Sequence, residues 1–145
     1  MRSDRERFWD NDSFAFVGNS AKKPFPKLSF GALEKQGRRV FAVDPSVSEV
    51  SGNVAYDDLA SLPEKVSAVV LEVPRSETQR WVERAADAGI ENIWIHMGRD
   101  TPEALATARE RGLKVQRGSC AVMYVKKGPS YHSIHRGLDK LLRRY

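Results

Sequence analysis

The sequence predicts an α/β fold: a doubly wound parallel sheet of about five strands with helices on both faces, followed by a C-terminal amphipathic helix. Three observations carry this expectation. Short apolar runs rich in Val, Ile and Phe recur along the chain, helical patterns with legible ends separate them, and 145 residues suffice for one domain with its own core.

Phe14-Ala15-Phe16-Val17 is the first run, closed by Gly18, and Val40 to Val43 is the second, closed by Asp44-Pro45. Val66 to Val73 is the third, Ile93 to Ile95 the fourth and Leu113 to Val115 a weaker fifth. Runs this short read as strands buried on both faces. Ahead of them, Ser3 to Trp9 has room for one or two helical turns. Pro26 to Gln36 reads as a helix with Leu28 and Leu33 on its apolar face and Gly37 as its stop. Ser76 to Ala88 reads as the next, opened by a capping box across Ser76-Glu77-Thr78-Gln79 and ended by Gly89. Asp100 or Thr101 caps a further helix with Pro102 in its first turn and Gly112 at its end.

The connection Ser46 to Lys65 is less regular, and Asp57-Asp58-Leu59 opens a short helix there that ends before Pro63. Ala121 to Val125 is an apolar segment with the character of a strand or an extended packing piece. Tyr131, Ile134, Leu138, Leu141, Leu142 and Tyr145 fall at helical spacing, which makes the tail an amphipathic helix. The expected division is therefore 1–125 for the α/β domain and 126–145 for a basic helical extension, packed on the same domain or on a partner.

Charge narrows the function classes. Residues 126–145 hold six basic residues against one acid, which accounts for the whole net charge of +5. The body is thus neutral, and the tail reads as a solvated helix face before it reads as a nucleic-acid surface. No apolar run approaches the roughly 20 residues that span a bilayer, and the N-terminus is charged, so neither a membrane anchor nor a signal peptide is expected. One cysteine, Cys120, excludes an intramolecular disulfide. These features together place the protein in the cytoplasm.

In a doubly wound sheet, ligands sit beyond the carboxyl ends of the strands. The bend after the first strand, Gly18-Asn19-Ser20, lies there, with Lys22, Lys23 and Lys27 close by. Backbone amides at such a bend favour an anion, and the lysines add positive charge. The bend lacks the glycines of a dinucleotide fingerprint, because Ser20 and Lys23 occupy those positions. Asp44 stands where an NAD fold places an acid on the adenosine ribose, although Asp before Pro is also a common turn opener.

The chemistry-bearing residues are few. His96 ends the fourth strand, and its plainer reading is a polar residue hydrogen-bonded at a strand end. His132 and His135 lie three apart without a third ligand at metal spacing, so no metal is expected. Cys120 follows the fifth strand, where Arg117 and Lys126 would favour a thiolate; its plainer reading is a small buried apolar residue.

Read in order, Val17-Gly18-Asn19-Ser20, Val43-Asp44-Pro45, Val73-Pro74-Arg75-Ser76-Glu77, Trp94-Ile95-His96-Met97-Gly98 and Arg117-Gly118-Ser119-Cys120 resemble the small stand-alone CoA-binding proteins. Those are similar to the nucleotide-binding domain of the succinyl-CoA synthetase alpha subunit. The resemblance covers about residues 12 to 122. It implies a Rossmann-like domain that binds coenzyme A or an acyl-CoA across the strand ends, without catalysis of its own. On that resemblance Gly18, Asn19 and Ser20 hold the pyrophosphate, with Lys22 or Lys23 near phosphate. Val43, Asp44 and Pro45 border the adenosine, Val73, Pro74 and Arg75 form the opposite wall, and Met97 and Gly98 lie toward the pantetheine arm. Apart from the resemblance, the position of Cys120 after the fifth strand suggests that it meets the CoA thiol and forms a mixed disulfide under oxidation. The family more often carries Asn where Asp44 stands, which keeps an NAD(P)-type ligand or a small oxidoreductase as the alternative. A protein- or nucleic-acid-interaction module using the tail is a third reading, and a tail helix packed on a second copy would make a homodimer.

Overall fold

The computed structural model describes residues 3–117; Cys120, Ala121 to Val125 and the 126–145 extension lie outside the described residues. Strands β1 (Ser13–Gly18), β2 (Arg39–Val43), β3 (Glu49–Val50), β4 (Asn53–Tyr56), β5 (Ala68–Glu72), β6 (Asn92–Ile95) and β7 (Lys114–Arg117) form one sheet in the order β3-β4-β2-β1-β5-β6-β7. All neighbours run parallel except β3, which pairs antiparallel with β4. The α/β class and the parallel sheet agree with the sequence. The strand number does not: seven stand among the described residues where about five are expected. The two additional strands form a hairpin in the irregular connection, with Ser51 at φ 49° and Gly52 at φ 80° making its turn.

Helices α1 (Asp4–Phe8) and α2 (Lys27–Lys35) cover one face, and α3 (Arg75–Asp87) and α4 (Pro102–Glu110) cover the other. The alternation of side chains along β1 explains both layers. Phe14 and Phe16 enter an aromatic core with Phe8, Trp9, Phe30 and Trp94, while Ala15 and Val17 pack with Leu71, Trp81, Ile93 and Ile95. In the first layer Trp9 lies 5.0 Å from Trp94 and 5.6 Å from Phe14 between ring centroids, which is why a five-residue α1 stays docked on the sheet.

Helix ends follow the sequence in part. Ser3 and Glu6 close a capping box on α1, and Thr101 caps α4 through the amide of Ala104. The box expected at Ser76 does not form. Helix α3 begins one residue earlier, with Pro74 at its N-cap and no side-chain cap, because only two residues separate it from β5. Leu28 also departs from expectation: it is 63% exposed, and the buried face of α2 consists of Ser29, Phe30 and Leu33. The short helix expected near Asp58 is a 3-10 turn, Leu59–Ser61, capped by the Asp58 side chain. Among the described residues, no helix is long and apolar enough to cross a membrane.

Candidate functional site at the carboxyl edge of the sheet

Strand β1 is flanked by β2 on one side and β5 on the other, so the chain reverses its winding direction there. At such a reversal, successive connections leave toward opposite faces and open a crevice beyond the strand ends. Gly18 at the end of β1, Asp44 after β2, the Val73-Pro74 link before α3 and the turn after β6 all lie on this edge.

The bend after Gly18 is held by two carboxylates. Asp44 is fully buried, and its Oδ2 accepts the amide of Ser20 at 2.8 Å and the Ser20 hydroxyl at 2.5 Å. Its Oδ1 accepts the amide and hydroxyl of Ser46 at 2.9 and 2.6 Å, and the Ser46 hydroxyl accepts the amide of Ala21 at 3.1 Å. On the far side Glu77, in the first turn of α3, accepts Asn19 Nδ2 at 2.9 Å and pairs with Lys22 at 3.6 Å and Arg80 at 3.1 Å. The Glu77 side chain is only 11% exposed.

These donors form a set that favours anions: a backbone amide, a hydroxyl, a carboxamide and an ammonium. Within the chain they are satisfied by Asp44 and Glu77. Lys22 is exposed, Lys23 half-buried and Arg75 exposed at the start of α3, whose leading amides have no side-chain cap. Asn19 also carries a buried Oδ1 without a hydrogen-bond partner. The stretch Asn19 to Pro26 separates the bend from α2, and both helix starts on this edge, α2 at Pro26 and α3 at Pro74, lack a side-chain cap.

Gly18 has a packing reason for its size. A Cβ built there would stand 2.8 Å from the Phe25 ring, so the glycine admits Phe25 beneath the bend whether or not a ligand approaches. Val43 and Val73 are buried and Pro45 exposed. Met97 is 55% exposed, in a turn where the amide of Arg99 donates to the carbonyl of His96 at 2.9 Å. Gly98, at φ 80°, occupies the third position of that turn, a backbone region that L side chains resist. The buried Thr78 hydroxyl donates to the Arg99 carbonyl at 2.7 Å and ties the turn to α3.

One pair on this edge escapes a reading of motifs. Glu72 ends β5 beside Gly18, and His96 follows β6, where its amide donates to Leu71 and continues the ladder. His96 Nδ1 lies 3.7 Å from Glu72 Oε2. Burial raises the Glu72 carboxyl to about 7 and lowers the His96 imidazole below its ordinary 6.5. His96 is visible in the sequence as a strand-end histidine. Glu72 is not, because it reads as one polar residue inside the Val66 to Val73 run. Among the described residues, no cluster of His, Cys, Asp and Glu suits a metal ion.

Residues 12–126 match the family model described as CoA binding domain. A hypothetical protein from Pyrococcus horikoshii OT3 is similar at 28% identity, with a TM-score of 0.73 over 83% of this chain and 85% of its own. A protein from Thermus thermophilus shares the fold at 22% identity, with a TM-score of 0.70 over 83% and 92% of the two chains. The dinucleotide forming acetyl-coenzyme A synthetase 1 of Ca. Korarchaeum cryptofilum shares it at 22% identity and a TM-score of 0.61, over 77% of this chain but 27% of that one. The Rossmann-like architecture is common to all of them.

Proposed function

The chain belongs to the CoA binding domain family, and from that premise we propose that it binds coenzyme A or an acyl-CoA at the carboxyl edge, as a binding module to which no reaction of its own is assigned. The observation that carries this reading is the convergence, at the reversal of strand order, of the β1 bend and its lysines with the uncapped start of α3. A pyrophosphate suits the free amides at a helix start with lysines beside it; the Ser20 donors stay on Asp44, and Lys22 must leave Glu77 to reach the anion. Gly18, Asn19 and Ser20 then face the pyrophosphate with Lys22 and Lys23 beside it. Val43, Asp44 and Pro45 border the adenosine, Val73, Pro74 and Arg75 make the opposite wall, and Met97 and Gly98 follow the pantetheine arm. Asp44 acts here by shaping the bend, since four donors of the chain already occupy its oxygens.

Calorimetric titration with CoA, acetyl-CoA, dephospho-CoA and NAD in parallel tests the reading. CoA and acetyl-CoA bind, loss of the 3′-phosphate weakens binding, and NAD is silent. NAD binding with CoA silent overturns the proposal.

A further inference from the structure

We propose that Glu72 and His96 form an orienter and base for the thiol of the bound cofactor, so that the sulfur is held as a thiolate. The inference rests on the CoA reading and adds chemistry to it.

The placement comes first. With the adenosine beside β2 and the pyrophosphate at the β1 bend, the pantetheine arm runs toward β5 and β6, one and two strands further on. Neighbouring strands are about 4.8 Å apart, so the end of β6 lies about 10 Å from the bend, within the span of the arm. Glu72 and His96 stand on those two strand ends.

The geometry of the pair follows. Nδ1 of His96 is buried, has no hydrogen-bond partner and faces Glu72 Oε2 at 3.7 Å. The His96 side chain is 19% exposed, which leaves Nε2 as the ring nitrogen that can meet a ligand. A carboxylate behind one imidazole nitrogen with the other open is the arrangement that activates a nucleophile, here one supplied by the ligand. In the step, the S–H bond breaks, its proton passes to Nε2, and the electron pair stays on sulfur. The imidazolium so formed is stabilised by the Glu72 carboxylate on one side and by the thiolate on the other. No further reactant is consumed.

Charges on the surrounding elements bear on the same proton. Lys22 lies on the β1 bend, Arg75 and Glu77 at the start of α3, and Arg99 in the turn after β6; Asp100 beside it is paired with Arg117 at the end of β7. In the unliganded chain burial disfavours the Glu72 carboxylate and the His96 imidazolium alike, so the charge of the thiolate at Nε2 must offset that cost for the proton to stay on the ring.

The test is the pH profile of iodoacetamide alkylation of CoA in the presence of excess full-length protein, followed by mass spectrometry of carbamidomethyl-CoA so that Cys120 does not interfere. Each unit by which the thiol pKa falls raises the thiolate fraction tenfold and lowers its intrinsic nucleophilicity about threefold, so the observed gain at low pH is about threefold per unit. Bound CoA is expected to react at least about threefold faster than free CoA at pH 6.5. With each variant in enough excess to saturate CoA, as checked by calorimetry, His96→Gln abolishes the gain and Glu72→Gln reduces it. CoA that binds with the alkylation profile of the free thiol, or a gain that survives His96→Gln, overturns the inference and leaves the binding function standing. Failure of the wild-type protein to bind CoA removes both.

Discussion

The Asp44 carboxylate takes both hydrogen-bond donors of Ser20, the amide at 2.8 Å and the hydroxyl at 2.5 Å, across 24 residues of sequence. Because the same carboxylate also takes both donors of Ser46, it fastens the loop after β1 to the loop after β2. Asp44→Ala removes a fully buried carboxylate and the acceptor of four donors, those of half-buried Ser20 and exposed Ser46, and is expected to cost about 2 kcal/mol, against about 1 kcal/mol for Ser46→Ala. Urea unfolding of the three proteins measures the difference. An Asp44→Ala midpoint equal to wild type would show that the two loops are held by something else.

Gly18 and Phe25 are fitted to one another. Gly18→Ala pushes a methyl to 2.8 Å from the Phe25 ring, which is 6% exposed and hemmed in by the aromatic core. Overpacking of this kind costs about 1–3 kcal/mol. The smaller side chain of Phe25→Leu leaves room for that methyl, so thermal melts should show Gly18→Ala doing less damage in a Phe25→Leu background than in wild type. Equal losses in both backgrounds would place the role of Gly18 elsewhere.

How much of this was visible beforehand depended on whether the signal is local. Strands β1, β5 and β6 announce themselves because they are buried on both faces almost throughout and therefore apolar, whereas β2 is buried only at its end and the edge strand β7 is no more than half-buried, which is why its run is the weakest. Strand β4 gives no such run: only Ala55 is buried, and Val54 faces solvent at 61% exposure. Its identity as a strand comes from pairing with β2 and β3, which no short pattern records. The Ser76 capping box fails for a related reason. Its residues are suitable, but β5 delivers the chain so close to α3 that the helix starts at Arg75 and Ser76 is already inside it. The bend and Asp44 were legible as separate motifs, whereas their mutual hydrogen bonds and the Glu72–His96 approach depend on the register of neighbouring parallel strands.

The pH dependence of stability should carry the signature of Glu72. Below about pH 4.5 its carboxyl is protonated in folded and unfolded chains alike and has no effect. Between 4.5 and about 7 only the folded chain retains the proton, so this group lowers stability as pH rises, and above 7 its cost stays constant. A shift of that size corresponds to about 3 kcal/mol for a side chain this enclosed. His96 acts oppositely: its lowered value makes the unfolded chain bind the proton first, so its cost appears as pH falls below 6.5. Subtracting wild type from Glu72→Gln isolates the first effect. The variant should gain on wild type between pH 5 and pH 8, read by chemical denaturation at each pH, and a flat difference would refute the raised carboxyl.

Glu77 and a bound pyrophosphate would compete for the same cations. In the unliganded chain Glu77 holds Lys22 at 3.6 Å and Arg80 at 3.1 Å while accepting Asn19 Nδ2. An anion arriving at the bend must draw Lys22 away and then sit near the Glu77 charge. Glu77→Gln removes the charge but keeps an acceptor for Asn19, so CoA affinity should rise several-fold. Lys22→Ala should lower it several-fold, with stability changed by no more than about 0.5 kcal/mol because the lysine is largely exposed. Both effects should shrink between 50 and 300 mM salt, since they are Coulombic and act at a solvent-exposed edge. Titrations at two salt concentrations decide the matter: an unchanged affinity in both variants would move the phosphates away from this bend, and a Glu77→Gln loss would mean that the carboxylate itself holds the site open.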